Sequence, residues 1–127
     1  MTSAKLHHAI PILDVRDVDK ALQFYVERLG FQVAFRYKGD PKNYAGVHRD
    51  GVRLHMQCQH AEHFERGTAG RLRIRISVDD TDSLFDEFKA KGVFSEDTAA
   101  VRDTDWGTRE FGLRDPDGNG LIFYHDV

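Results

Sequence analysis

The 127-residue sequence holds one cysteine, Cys58. No disulfide can form within the chain, which fits a reducing compartment and sets the expectation of a cytoplasmic protein. No apolar run approaches the roughly 20 residues that cross a bilayer, so a membrane partner is not expected. Residues 1–5 are polar and the next apolar stretch is short and broken by Pro11, unlike a secretory leader. Charge of one sign is also scarce. Lys and Arg number 18 against 21 Asp and Glu, a formal −3. A nucleic-acid partner would want a basic face, and ordinary solubility accounts for this balance.

Signatures of covalent catalysis are missing as well. Cys58 has no nucleophile motif around it and reads as a small buried hydrophobe. Ser3, Ser77, Ser83 and Ser95 lack a nucleophile elbow. Asp79, Asp80 and Asp82 open a predicted helix, where they suit its dipole better than acid–base work. There is no linker or low-complexity segment, and the length suits one domain over residues 1–127.

What the chain does have is an internal repeat. In the first half the apolar strand Ile10-Pro11-Ile12-Leu13 runs into Val15-Arg16-Asp17. A helical pattern follows through Val18, Ala21, Leu22, Tyr25 and Leu29, closed by Gly30. In the second, Leu72, Ile74, Ile76 and Val78 alternate with Arg71, Arg73, Arg75 and Ser77, the period of a half-buried strand. It enters Asp79-Asp80 and a helix carrying Leu84, Phe85 and Phe88, closed by Gly92. Asp17 and Asp80 hold equivalent places as helix N-caps. The tails match too: a strand and an Asp50-Gly51 turn precede strand Val52–Cys58, and a strand and the turn Asp115-Pro116-Asp117-Gly118-Asn119 precede strand Leu121–His125. A third strand is expected at Phe31–Tyr37 in the first half and in the looser stretch Val93–Val101 in the second. The fold class is therefore α+β: two tandem βαβββ modules, about 5–60 and 70–127. One helix covers one face of each module, and the free faces form a curved mixed sheet with a central groove.

These stretches carry a resemblance. Ala9 through Leu13 with Arg16-Asp17-Val18, Phe24-Tyr25 through Arg28-Leu29-Gly30-Phe31, and Asp115 through Asn119 resemble the vicinal-oxygen-chelate superfamily of glyoxalases, dioxygenases and bleomycin-resistance proteins. Trp106-Gly107 with Arg109-Glu110-Phe111 is most similar to the resistance branch. Metal-dependent members place one ligand on the first strand and one on the last strand of each half. By the resemblance those positions fall at Ile10, seven residues before Asp17, and at Arg73, seven before Asp80, with Ile122 three after Asn119 and His55 its counterpart by the repeat. Only His55 can bind a metal, and Arg73 would repel one; three protein ligands are the usual minimum. The expectation is no cofactor, with His55 the single weak metal candidate. A second reading keeps one divalent ion in a rearranged glyoxalase- or dioxygenase-like site around His55. A third makes the domain a dimeric interaction module.

The remaining histidines add little. His7 and His8 would face opposite sides of a strand, with His8 sharing the parity of Ile10 and pointing into the groove. His60, Glu62 and His63 read as a solvated polar loop, and His48 and His125 as ordinary strand residues. Arg73 and Arg75 offer planar recognition of acidic groups and stacking on rings. The resemblance makes Trp106 a ligand-stacking residue. It also implies a carboxylate-lined groove for a cationic drug, from which Arg73 and Arg75 depart. The groove set is thus Trp106, Arg73, Arg75, His55, His8, Ile10, Ile122 and Tyr124. The expected function is metal-independent binding and sequestration of a small molecule of the antibiotic kind, by a homodimer as the resemblance implies.

Overall fold

The computed structural model describes residues 3–37, 43–67, 69–95 and 99–127. Each half folds as βαβββ. The first runs β1 (Ile12–Val15), α1 (Val18–Gln23) continued by a π-helical turn over Phe24–Arg28, β2 (Gln32–Arg36), β3 (Tyr44–Arg49) and β4 (Val52–Cys58). A short helix α2 (Ala61–Glu65) leads to β5 (Arg73–Ser77), α3 (Thr81–Ala90), β6 (Arg102–Asp103), β7 (Thr108–Arg114) and β8 (Gly120–Asp126). The two mixed sheets share one topology, β1-β4-β3-β2 and β5-β8-β7-β6, with the first strand of each half parallel to the last.

Period-two alternation sends the apolar residues of both sheets to one side. Leu13, Val15, Val47, Leu54 and Met56 from the first sheet join Ile76, Phe111, Leu113, Leu121 and Phe123 from the second in a single buried cluster. Helices α1 and α3 cover it with Val18, Ala21, Leu22, Tyr25, Leu84 and Phe88. Both helices begin as the repeat predicts. The Asp17 carboxylate accepts from Lys20 N at 3.1 Å and the Asp80 carboxylate from Ser83 N at 3.1 Å. That bond to Ser83 holds the Asp80 carboxyl below its ordinary range.

Four local expectations need correction. The first strand starts at Ile12, not Ile10: Pro11 has no N–H to give, and its carbonyl accepts from His55 N at 3.0 Å. His7 and His8 consequently stand exposed ahead of the strand instead of alternating within it. The strand expected in Val93–Val101 is the two-residue β6 at Arg102–Asp103, because Phe94 turns inward to stack on Phe85 at 4.7 Å and meet Phe111. Residues 96–98 of that stretch lie outside the described ones. His60, Glu62 and His63 belong to α2 and its cap, not to a loop. Cys58 is half-buried, its thiol 3.3 Å from the Arg16 carbonyl.

The halves are locked together at the Asp115–Asn119 turn. The Asp115 carboxylate accepts from the Tyr25 hydroxyl (2.8 Å), Asp117 N (2.9 Å), Asn119 N (2.9 Å) and the Asn119 amide (3.0 Å). The Asn119 amide also reaches the Asp14 carbonyl in β1 at 3.0 Å, and Asp117 accepts from Arg16 N at 2.9 Å. The segment before β5 crosses this turn backbone to backbone. A Cβ on Gly70 would lie 2.3 Å from the Asp117 carbonyl, and one on Gly118 2.8 Å from the Gly70 carbonyl, so only glycine fits either place. A second tie joins Arg49 to Glu87 of α3 by two bonds of 2.7 and 2.9 Å, and to the Leu29 carbonyl at 2.8 Å. The Arg49 hydrogen bonds hold the Glu87 carboxyl below its ordinary range.

Tyr25 is fully buried and hydrogen-bonded to an acid in the opposite half. Burial first, and then the neighbouring Asp115 carboxylate, pushes its pKa well above the ordinary phenol value, so it remains a proton donor. Removing a hydrogen bond to a charged group costs about 1.5–3 kcal/mol. Tyr25→Phe should lower unfolding stability by that amount in urea titrations, with the folded circular dichroism spectrum retained. A change of under about 0.5 kcal/mol, the scale of ordinary surface substitutions, would show that the bond does not couple the halves.

Candidate functional site

The side of each sheet away from its helix is the surface left for a ligand. On the first sheet the parallel register pairs Ile12 with His55, and the antiparallel one pairs His55 with Gly46. His55 shares a 2.8 Å hydrogen bond between its Nδ1 and the Tyr44 hydroxyl. The Phe35 ring packs edge-on to His55 at 5.0 Å and stacks over Tyr44 at 6.1 Å. A register shift between Val33 and Phe35 in β2 accompanies this placement. Gly46 permits it, since a Cβ there would lie 2.3 Å from the Phe35 ring. The result is an aromatic corner beside a cavity of about 320 Å³ lined by Ile10, Phe35, His48, Arg53 and His55 among others.

On the second sheet, Arg75 lies opposite Ile122, and Tyr124 opposite Glu110. The Arg75 guanidinium sits 4.4 Å over the Tyr124 ring and 3.3 Å from the Glu110 carboxylate. Glu110 has a side chain only 7% exposed, and it also accepts from the Thr108 hydroxyl at 2.9 Å. A buried carboxylate of this kind persists because cation and hydroxyl both satisfy it. Arg75 is thereby neutralised where a ligand would meet it. A cavity of about 570 Å³ lies at the other end of the same face, lined by Arg73, Phe94, Gly112, Arg114, Gly120 and Ile122 among others.

The eight residues expected to share one groove separate into two sets and two outliers. Ile10 and His55 line the first-half cavity; Arg73 and Ile122 line the second-half one, with Arg75 and Tyr124 beside it. Neither cavity takes lining residues from both halves. His8 is exposed ahead of β1. Trp106 stands 65% exposed on the turn between β6 and β7, outside both linings. Sequence reasoning did not pick out Tyr44, Phe35, Glu110 or Arg114 as site residues. The signal available for Glu110 and Arg114 was parity, since positions 110, 112 and 114 of β7 share one face.

The donor set does not fit the metal that the resemblance implies. The four positions present Ile10, His55, Arg73 and Ile122, and the register neighbours Ile12 and Arg75 add no ligand. His55 already commits Nδ1 to Tyr44. Among the described residues, no three His, Cys, Asp or Glu side chains converge as metal ligands would. No helix among them is long and apolar enough to cross a membrane.

The chain is similar to known proteins over nearly its whole length. The chain is 30% identical to the bleomycin resistance protein of Geobacillus stearothermophilus, and equally to that of Staphylococcus aureus, over 94% of its own length and 96% of theirs. It superposes with a TM-score of 0.76 on the bleomycin-binding protein of bleomycin-producing Streptomyces verticillus, solved with copper(II)-bleomycin. The two are 34% identical over 95% of this chain and 97% of the other. The bleomycin resistance determinant of transposon Tn5 gives a TM-score of 0.78 at 25% identity, covering 95% of this chain and 98% of that one. Residues 5–123 match the model of the Glyoxalase/Bleomycin resistance protein/Dioxygenase superfamily, and the chain belongs to that superfamily.

Proposed function

We propose that this protein binds and sequesters a small molecule, without a metal and without chemical change to the ligand. The observation that carries the reading is the likeness to bleomycin resistance proteins over nearly the whole of both chains. The open faces support it, offering rings and compensated charge where metal-dependent members would need donors. Tyr124, Arg75 and Glu110 form a stacked, neutralised surface, and Trp106 stands ready for a flat ligand. The antibiotic kind of ligand is part of this reading, with bleomycin as its first test. We place the protein in the cytoplasm, where the lone Cys58 stays reduced.

Two copies would complete the site. Leu6 is fully exposed, and Ile12 and Phe35 present apolar surface around the His55 corner. Pairing that brings the first half of one copy to the second half of another would cover this surface and join the two kinds of cavity into one groove. Light scattering at micromolar concentration should give the mass of a dimer; a monomer overturns the pairing.

Bleomycin titrated against the fluorescence of Trp106, the only tryptophan, should quench it saturably, with the drug recovered intact by chromatography. Arg73→Gln removes a cation that repels a cationic drug and should tighten binding about 2–10-fold, whereas Glu110→Gln leaves Arg75 unpaired and should weaken it by a similar factor. Absence of saturable binding would remove bleomycin as the ligand. Consumption of the drug would overturn sequestration.

The enzyme reading rests on His55 alone and makes a separate demand. Calorimetric titration with Zn²⁺, Ni²⁺, Mn²⁺ or Fe²⁺ should show no one-to-one site of micromolar affinity. Such a site, lost in His55→Ala, would establish a rearranged metal centre in place of metal-free binding.

A further inference from the structure

Strand register sets Arg73 of β5 against Gly120 of β8, and Gly120 against Arg114 of β7. The three residues form one row across the open face of the second sheet. Neighbouring strands lie about 4.8 Å apart, so the two arginine Cα atoms stand about 10 Å apart with a bare glycine between them. A Cβ on Gly120 would come 3.6 Å from Arg73 Cγ, so the arginine stem runs along that bare backbone. Arg114 is held at one side by a 2.9 Å bond from Nη1 to the Gly118 carbonyl, and its other N–H donors have no partner among the described residues.

Charge compensation on this sheet is selective. Arg75 is paired with Glu110, and Arg109 with Asp82 and Asp103. Arg73 and Arg114 have no ion pair among the described residues, and both line the 570 Å³ cavity. Among the described residues no acid lines that cavity, whose other walls are Phe94, Ile122 and further apolar residues, two glycines and Ser95. Two guanidiniums without an ion pair among the described residues, set in one concavity, focus positive potential at one spot. Each presents a planar fork of donors matched to an oxyanion.

We propose that Arg73 and Arg114, spanning Gly120, are an acid-binding subsite: the ligand of this half carries a carboxylate, sulfonate or phosphate beside an apolar body that packs on Phe94 and Ile122. The inference deepens the sequestration reading by naming a ligand class, and it rests on that reading only for the role of the bound molecule. It also separates this chain's preference from that of a site built for a cationic drug. The two arginines select the ligand, while Glu110 offsets the charge of Arg75 beside them.

The test uses a matched pair of fluorescent probes, 8-anilinonaphthalene-1-sulfonate and its uncharged relative N-phenyl-1-naphthylamine, with the intact protein. The sulfonate should bind about tenfold tighter than the neutral probe, and its affinity should fall as salt rises. Arg73→Gln and Arg114→Gln, each checked for fold by circular dichroism, should each weaken the sulfonate about tenfold and leave the neutral probe unchanged. Equal affinity for the two probes, no sulfonate binding, or unchanged sulfonate affinity in both variants would overturn the subsite. Those outcomes leave sequestration standing, since that reading fails only if bleomycin or another bound molecule is consumed.

Discussion

A buried carboxylate, Asp115, organises this molecule. An ionised group taken out of water is tolerated only when its lone pairs are met, and four donors from two halves of the chain converge on this one. Two of the donors are backbone amides of its own turn, so the turn's shape and the acid's satisfaction are one condition. A third, the Tyr25 hydroxyl, comes from the helix of the other half and is fully buried. The fourth, the Asn119 amide, passes the connection on to the β1 backbone at Asp14. The relative placement of the halves is therefore specified by directional bonds, where apolar packing alone would tolerate sliding. Gly70 and Gly118 complete the arrangement, because the backbones cross more closely than any side chain allows.

With the helix sides committed to this junction, the opposite faces of the two sheets stay free. Their shared topology hides a chemical divergence. The first face carries an aromatic corner in which His55 is hydrogen-bonded to Tyr44 and enclosed by Phe35. The second carries arginines, one pair-bonded to Glu110 and one against a glycine row. Equivalent positions of the repeat hold Ile10 and Arg73, or His55 and Ile122. A scaffold able to display metal ligands symmetrically carries, at those four positions, one group able to bind a metal, His55.

The repeated βαβββ order, the Asp17 and Asp80 caps and the inward faces of the strands were legible in the sequence, because each depends on local spacing. Period two tells which residues of β5 and β8 go inward whatever lies beyond them. What was not legible depends on distant partners. Nothing near Glu110 announces that it will be buried against Arg75, or that Tyr25 will find an acid ninety residues away. The Asp115–Asn119 segment reads as turn chemistry, and its role as the junction between halves appears only when Asp14, Arg16 and Tyr25 arrive beside it. The stretch after α3 misled for a related reason: Val93 and Phe94 look like strand residues, but the gap they fill lies beside Phe85 and Phe111. His55 and Arg73 line separate cavities, since face parity says which side a residue takes and not what stands opposite.

The charge pattern of the second sheet carries the argument about ligand further than the fold does. Five arginines lie in the strands of this sheet, and among the described residues carboxylates meet two of them, Arg75 and Arg109. Glu110 is placed on the open face at a desolvation cost that Arg75 and Thr108 offset, and Arg109 is turned aside to Asp82 and Asp103. Arg73 and Arg114 fall on one row, across a residue with no side chain, in a cavity that no acid lines among the described residues. Two guanidiniums sharing one cavity concentrate positive potential there, and a concentrated positive site discriminates among ligands where a uniformly basic face would only attract them.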